Sequence, residues 1–109
     1  DMLIIRGVNV FPTQIEEVVL QHPRLSGMYQ IHVNRQGPLD QVNVHCEWRH
    51  SDPGFSQNDI DEVAAWLQHR IKTLVGISTE VSVMAPESIE RTLTGKARRV
   101  IDSRPRQPS

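Results

Sequence analysis

Hydrophobic positions recur along this chain with two different periods, and the switches between them mark out the elements. Residues 2–5, Met-Leu-Ile-Ile, are a continuous apolar run of a length suited to a short strand. Arg6-Gly7-Val8-Asn9 reads as a tight turn, because glycine and asparagine tolerate positive φ, and residues 8–11 can pair back as a second short strand. Pro12 then suits the first position of a helix. Alternatively, Thr13 caps that helix with Glu16 three residues on, and in either case Ile15, Val18 and Val19 form its apolar face. Pro23 ends it. Residues 28–35 alternate, with Tyr29, Ile31 and Val33 on one side and Gln30, His32 and Asn34 on the other. Residues 41–49 repeat the alternation with Val42, Val44, Cys46 and Trp48 inward, and residues 36–40 supply the hairpin loop between the two. After a Ser/Pro/Gly-rich loop at 51–56, Ile60, Val63, Ala64, Leu67, Ile71 and Leu74 keep the three-four spacing of one buried helical face, and Gly76 is its natural C-cap. Residues 80–84 read as a last strand with Val81 and Val83 inward, closed by Pro86.

The order β-α-β-β-α-β predicts an α+β fold, a ferredoxin-like antiparallel sheet with two helices on one face. Residues 87–102 are expected to form a loop centred on Thr94-Gly95-Lys96 followed by a helical turn. The domain is thus read as 1–102, with a flexible basic tail at 103–109.

Composition narrows the class. A chain of 109 residues holds one compact domain, and 38% hydrophobic with 23% charged residues is ordinary for a globular one. The lone cysteine, Cys46, lies in an alternating apolar run and reads as core, consistent with a reducing compartment. No apolar stretch approaches the ~18–20 residues that span a bilayer, so a cytoplasmic protein without a membrane partner is expected. Opening on Asp1 and running straight into an apolar segment, the chain reads as a domain cut from a longer polypeptide. The formal charge of −1 hides an asymmetry, because six of the 12 basic residues lie in 91–109 beside a single acid, Asp102. Such a segment suits an anionic partner and is equally a common solubilising device.

Two stretches can carry chemistry. Lys96, beside Gly95 on a loop, is a movable point charge able to neutralise an oxyanion or phosphoryl group. The surrounding sequence is not a Walker A loop, and on spacing alone a solvated basic loop outweighs a catalytic lysine. At Gly7, exposed amides and the missing side chain would let an extended ligand or a phosphate pass close to the backbone; a plain hairpin turn explains the same residues. The five histidines have no zinc spacing, so no metal is expected, and His32 and His45 read as a solvated sheet face. Scarce aromatics and an acidic folded part argue against a nucleic-acid partner.

Taken together and in order, Asp1-Met-Leu-Ile-Ile-Arg-Gly-Val-Asn-Val-Phe-Pro-Thr-Gln-Ile-Glu-Glu and Gly95-Lys96-Ala97-Arg98-Arg99-Val100-Ile101-Asp102 resemble the C-terminal domain of phenylacetate-CoA ligases, members of the AMP-forming adenylating superfamily. The resemblance covers essentially the whole chain. It implies a mobile lid attached to a large N-terminal domain that binds ATP with Mg2+ and an aryl acid, with CoA as the second substrate. By position, Lys96 matches the lysine of the adenylation step. Gly7 matches the glycine turn lining the pantetheine tunnel, with Arg6 and Asn9 flanking it, and Asp1 is the hinge acid or its neighbour. Asn9 stands where many superfamily members carry a basic residue, and Glu90 where they often carry proline. The resemblance also implies that the chain by itself is inactive. Set against it is a stand-alone α+β regulatory or binding module whose basic tail meets an anionic partner.

Overall fold

The computed structural model describes residues 2–91 and 99–105. It begins with an antiparallel hairpin, β1 (Leu3–Ile5) and β2 (Val8–Val10), in which Ile5 faces Val8. The two connecting residues, Arg6 and Gly7, have φ of 49° and 78°. A pair of left-handed residues is what lets a two-residue loop follow the twist of its strands. The positive φ expected at Asn9 falls on Arg6 instead; Asn9 sits in β2 opposite Ile4.

Helix α1 (Pro12–Gln21) starts with Pro12 in its first turn, and Phe11 is its N-cap. Phe11 offers no side-chain acceptor, but Gln14 Oε1 accepts the Phe11 amide at 3.0 Å. The proline start is therefore the one formed, and Thr13 does not act as the cap. Ile15, Val18 and Val19 are buried as their spacing requires. The helix stops before His22, whose extended backbone is what a residue preceding proline prefers.

The long hairpin of β3 (Leu25–Gln36) and β4 (Leu39–Trp48) turns through Gly37 and Pro38, with an irregularity between Leu25 and Tyr29. Its inward pairs are Tyr29 with Cys46, Ile31 with Val44 and Val33 with Val42. Helix α2 (Gln57–Val75) opens on a reciprocal cap between Ser56 and Asp59 and closes on Gly76 at φ 90°. Its buried residues are Val63, Leu67, Ile71 and Val75, while Leu74 is exposed. The contact line follows the i, i+4 row, which is inclined to the helix axis, so by the last turn Val75 has replaced Leu74 at the core.

The sheet corrects one sequence expectation. The class is α+β and both helices pack in the same core as the inward residues of β3 and β4, but the sheet is mixed. Its order is β5-β4-β3-β6, with β5 (Glu80–Met84) parallel to β4 and β6 (Val100–Asp102) parallel to β3. Only β3 and β4 are antiparallel neighbours. An antiparallel sheet of four needed the first strand as a member; β1 and β2 do pair with each other as their turn predicts, but the hairpin stands beside the sheet. The vacant place at the edge of β3 is taken by residues 100–102, read from the sequence as loop and helical turn. Three residues are too few to display an alternation.

Candidate functional site

The Gly7 turn is held from below by a carboxylate. Asp40, at the start of β4, is 8% exposed. Its Oδ2 accepts the Arg6 backbone amide at 3.0 Å and the Arg104 Nη1 at 3.2 Å, and its Oδ1 accepts Arg35 Nε at 3.0 Å. The Arg6 amide, then Arg35 and Arg104, overcome the opposing effect of burial and keep the Asp40 carboxyl below the usual carboxylate range. Arg104 is in turn fixed by Asp102, at 2.8 Å between Nη2 and Oδ2, and donates through Nη1 to the Ile4 carbonyl at 2.7 Å. Both limbs of the hairpin are therefore bound to the sheet, at Ile4 and at Arg6.

The side chain of Arg6 is used within the domain. Its Nε donates to the Asp40 carbonyl and its Nη1 to the Ser78 carbonyl, each at 2.9 Å. Gly7 is exposed at the apex, and a Cβ built there would have nothing within 4 Å. Glycine at this position is thus demanded by the backbone, while the space in front of it is open. Beside it lies an open cleft of about 600 Å3 bordered by Ile4, Arg35, Asp40, Asp102, Arg104 and Pro105. Asn9 is exposed on the same hairpin.

Lys96 and Asp1 lie outside the described residues, but the segments flanking Lys96 are placed. On the approach, Glu47 is 1% exposed and accepts the amides of Glu87 at 2.9 Å and Ile89 at 2.8 Å, together with both terminal nitrogens of Arg91 at 2.8 and 3.1 Å. Burial by itself would raise the Glu47 carboxyl; Arg91 and the two amides outweigh it and hold it below the ordinary value. On the far side, the Arg99 guanidinium lies 4.5 Å from the Tyr29 ring centre and donates to the Tyr29 carbonyl at 3.2 Å, and the Arg99 carbonyl accepts the Ile31 amide at 2.7 Å. Arg91, Arg99 and Arg104 are thus all engaged by the domain itself. Nor is the start of the tail loose, since Ser103 donates to Val33 through its amide at 2.8 Å and its hydroxyl at 3.1 Å.

The polar sheet face holds His32 and His45 stacked at 4.0 Å, and burial lowers both imidazoles, His45 also through His32. The Cys46 thiol is pushed up to about 12, by burial and by Glu47, so it stays neutral. No group of three or more His, Cys, Asp or Glu that could hold a metal occurs among the described residues, and no described helix is long and apolar enough to cross a membrane.

No motif in the sequence marks Asp40, Glu47 or Arg104 as a member of the site. One signal existed for Asp40: running the Val42-Val44-Cys46 register back two residues puts an acid on the inward side of the strand.

Residues 7–104 match the family model described as AMP-binding enzyme C-terminal domain. The chain belongs to this family. It is 48% identical over 104 residues to the phenylacetate-coenzyme A ligase of Escherichia coli and 44% identical over 108 residues to that of Aromatoleum evansii. These matches cover 95% and 98% of the chain and 24% of each ligase, so the chain spans about a quarter of their length. Among solved structures, a domain of the phenylacetate-coenzyme A ligase of Bacteroides vulgatus superposes with TM-score 0.85 at 24% identity, covering 96% of this chain and 94% of that one; at this identity it speaks for the fold. The 2-hydroxyisobutyryl-CoA ligase, solved with 2-HIB-AMP and CoA in the thioesterification state, gives 0.83 at 33% identity over 95% of this chain and 21% of that one.

Proposed function

We propose that this AMP-binding C-terminal domain is the lid of an AMP-forming CoA ligase for a phenylacetate-type aryl acid, and that it serves two half-reactions with different surfaces. The observation that carries the reading is the match of nearly the whole chain to bacterial phenylacetate-coenzyme A ligases at 44% to 50% identity. The open space in front of Gly7 supports it.

In the first half-reaction the acid carboxylate attacks the α-phosphate of ATP, an O–P bond forms and pyrophosphate leaves. Two anions meet, and the Lys96 ammonium offsets their repulsion as charge develops. In the second, the CoA sulfur attacks the acyl carbonyl and AMP departs. The Gly7 turn then borders the pantetheine arm, where a β-carbon would obstruct the thiol, with Asn9 beside it. Arg6 contributes by holding the turn. ATP with Mg2+ and the aryl acid are bound mainly by a larger N-terminal domain, the lid's partner, and Asp1 lies at the hinge between them.

The test places this chain in the Escherichia coli relative in exchange for the part it matches. Acid-dependent ATP–pyrophosphate exchange is expected, lost on Lys96→Ala while thioester formation from supplied acyl-adenylate survives. A folded chimera that exchanges equally well without Lys96 would overturn the assignment. The chain without a partner domain is expected to show neither half-reaction.

A further inference from the structure

We infer that Asp40 is a positioning residue for thioester formation, acting through the Gly7 turn; the inference rests on the functional reading above. The hairpin of β1 and β2 is outside the main sheet, and an isolated two-stranded hairpin is marginally stable in water. Ile5 and Val10 bury one side of it, which fixes its depth in the core. The direction of its apex depends on polar contacts, most of which involve one residue or its ion-pair partner. The Asp40 carboxylate takes the amide of Arg6, its main-chain carbonyl takes the Arg6 guanidinium, and its second ion pair, Arg104, reaches Ile4 on the opposite limb.

Arg6 shows why such a hold is needed. A side-chain-bearing residue at φ 49° is strained and persists only where its surroundings over-determine it. The carboxylate below the amide and the two carbonyls under the guanidinium, of Asp40 and Ser78, over-determine it here. Without them the turn would relax, and Gly7 would move relative to the sheet. A displacement of about 1 Å in a group that positions substrate is enough to cost on the order of 100-fold in rate. Asp40 itself is 8% exposed and lies behind the turn, so its effect on the thiol runs through Arg6 and Gly7.

The experiment compares Asp40→Ala and Asp40→Asn in the chimera and in the 109-residue chain. In the chimera, Asp40→Ala is expected to slow thioester formation from supplied acyl-adenylate by roughly 10- to 100-fold, leaving ATP–pyrophosphate exchange within about twofold. Asp40→Asn, which keeps an oxygen to accept the Arg6 amide, is expected to recover part of that loss and serves if the alanine variant does not fold. In the chain, hydrogen exchange of the Arg6 amide should accelerate while that of Ile31 and Val44 stays protected. Unchanged thioester kinetics, or an equal fall in both half-reactions, would overturn the inference. A chimera with Asp40 intact that exchanges pyrophosphate but makes no thioester would instead overturn the role of the Gly7 turn and the inference with it.

Discussion

Two buried carboxylates, Asp40 and Glu47, anchor the Gly7 hairpin and the segment that ends at Arg91. Glu47 is closed off from water and satisfied by two amides and a guanidinium. Replacing it with glutamine removes the charge opposite Arg91 and turns one acceptor into a donor facing amide hydrogens. The loss in unfolding free energy is expected at about 2–3 kcal/mol, measured by urea denaturation. Cys46 makes a second residue-scale prediction. With its thiol raised to about 12 and its side chain in the core, it should react with a disulfide reagent only as fast as the chain opens, and fully once unfolded. Neither Glu47 nor Asp40 could be recognised from sequence as a hub. Apart from Arg35, their partners lie 34 to 64 residues away, and a carboxylate carries no mark of what it will bind.

At the scale of elements, periodicity was a good guide wherever an element was long enough to repeat. Both helices, β3, β4 and β5 lie where alternation and three-four spacing put them, with ends differing by a few residues. What periodicity could not supply was partnership. The turn at Arg6-Gly7 already predicted that β1 and β2 pair with each other, but nothing local said that their hairpin would stand outside the sheet, and β6 was too short to be seen. The same limit applies inside α2, where Leu74 and Ile71 look equivalent on a helical wheel. The structure separates them: Leu74 is 52% exposed and Ile71 fully buried. Ile71→Ala is expected to cost about 2–5 kcal/mol, and Leu74→Ala less than about 1, in parallel thermal and urea melts. Equal losses at the two positions would show that the buried face is not the one described.

For the molecule as a whole, pH and the C-terminal strand are the informative perturbations. Asp40, Glu47 and Asp102 all have carboxyl groups lowered in the folded state. Their contribution is complete above the unfolded carboxylate values near 4, and shrinks as pH falls towards the folded ones. His32 and His45, lowered by burial, act in a different window. Because the unfolded imidazoles take up protons first, stability should decline as pH drops below about 6.5. Thermal melts between pH 7 and 5 should show that decline, and His32→Gln with His45→Gln should flatten it. Removing residues 99–109 would strip β6 from β3 and Arg104 from Ile4 and Asp40. The expected result is a lower melting temperature and, through the exposed edge of β3, concentration-dependent association in sedimentation runs.

The bond from Arg104 to the Ile4 carbonyl also closes the domain into a ring. Residues 4 and 104 are 100 positions apart in sequence and neighbours in space, so the order in which the polypeptide visits the core is not the only order that would build it. A short glycine-serine linker from Pro105 back to Met2, with new termini opened in the 51–56 loop, keeps every strand pairing and both helices. Such a circularly permuted chain should fold with an unchanged spectrum. It would present the glycine turn on a surface from which no free end emerges.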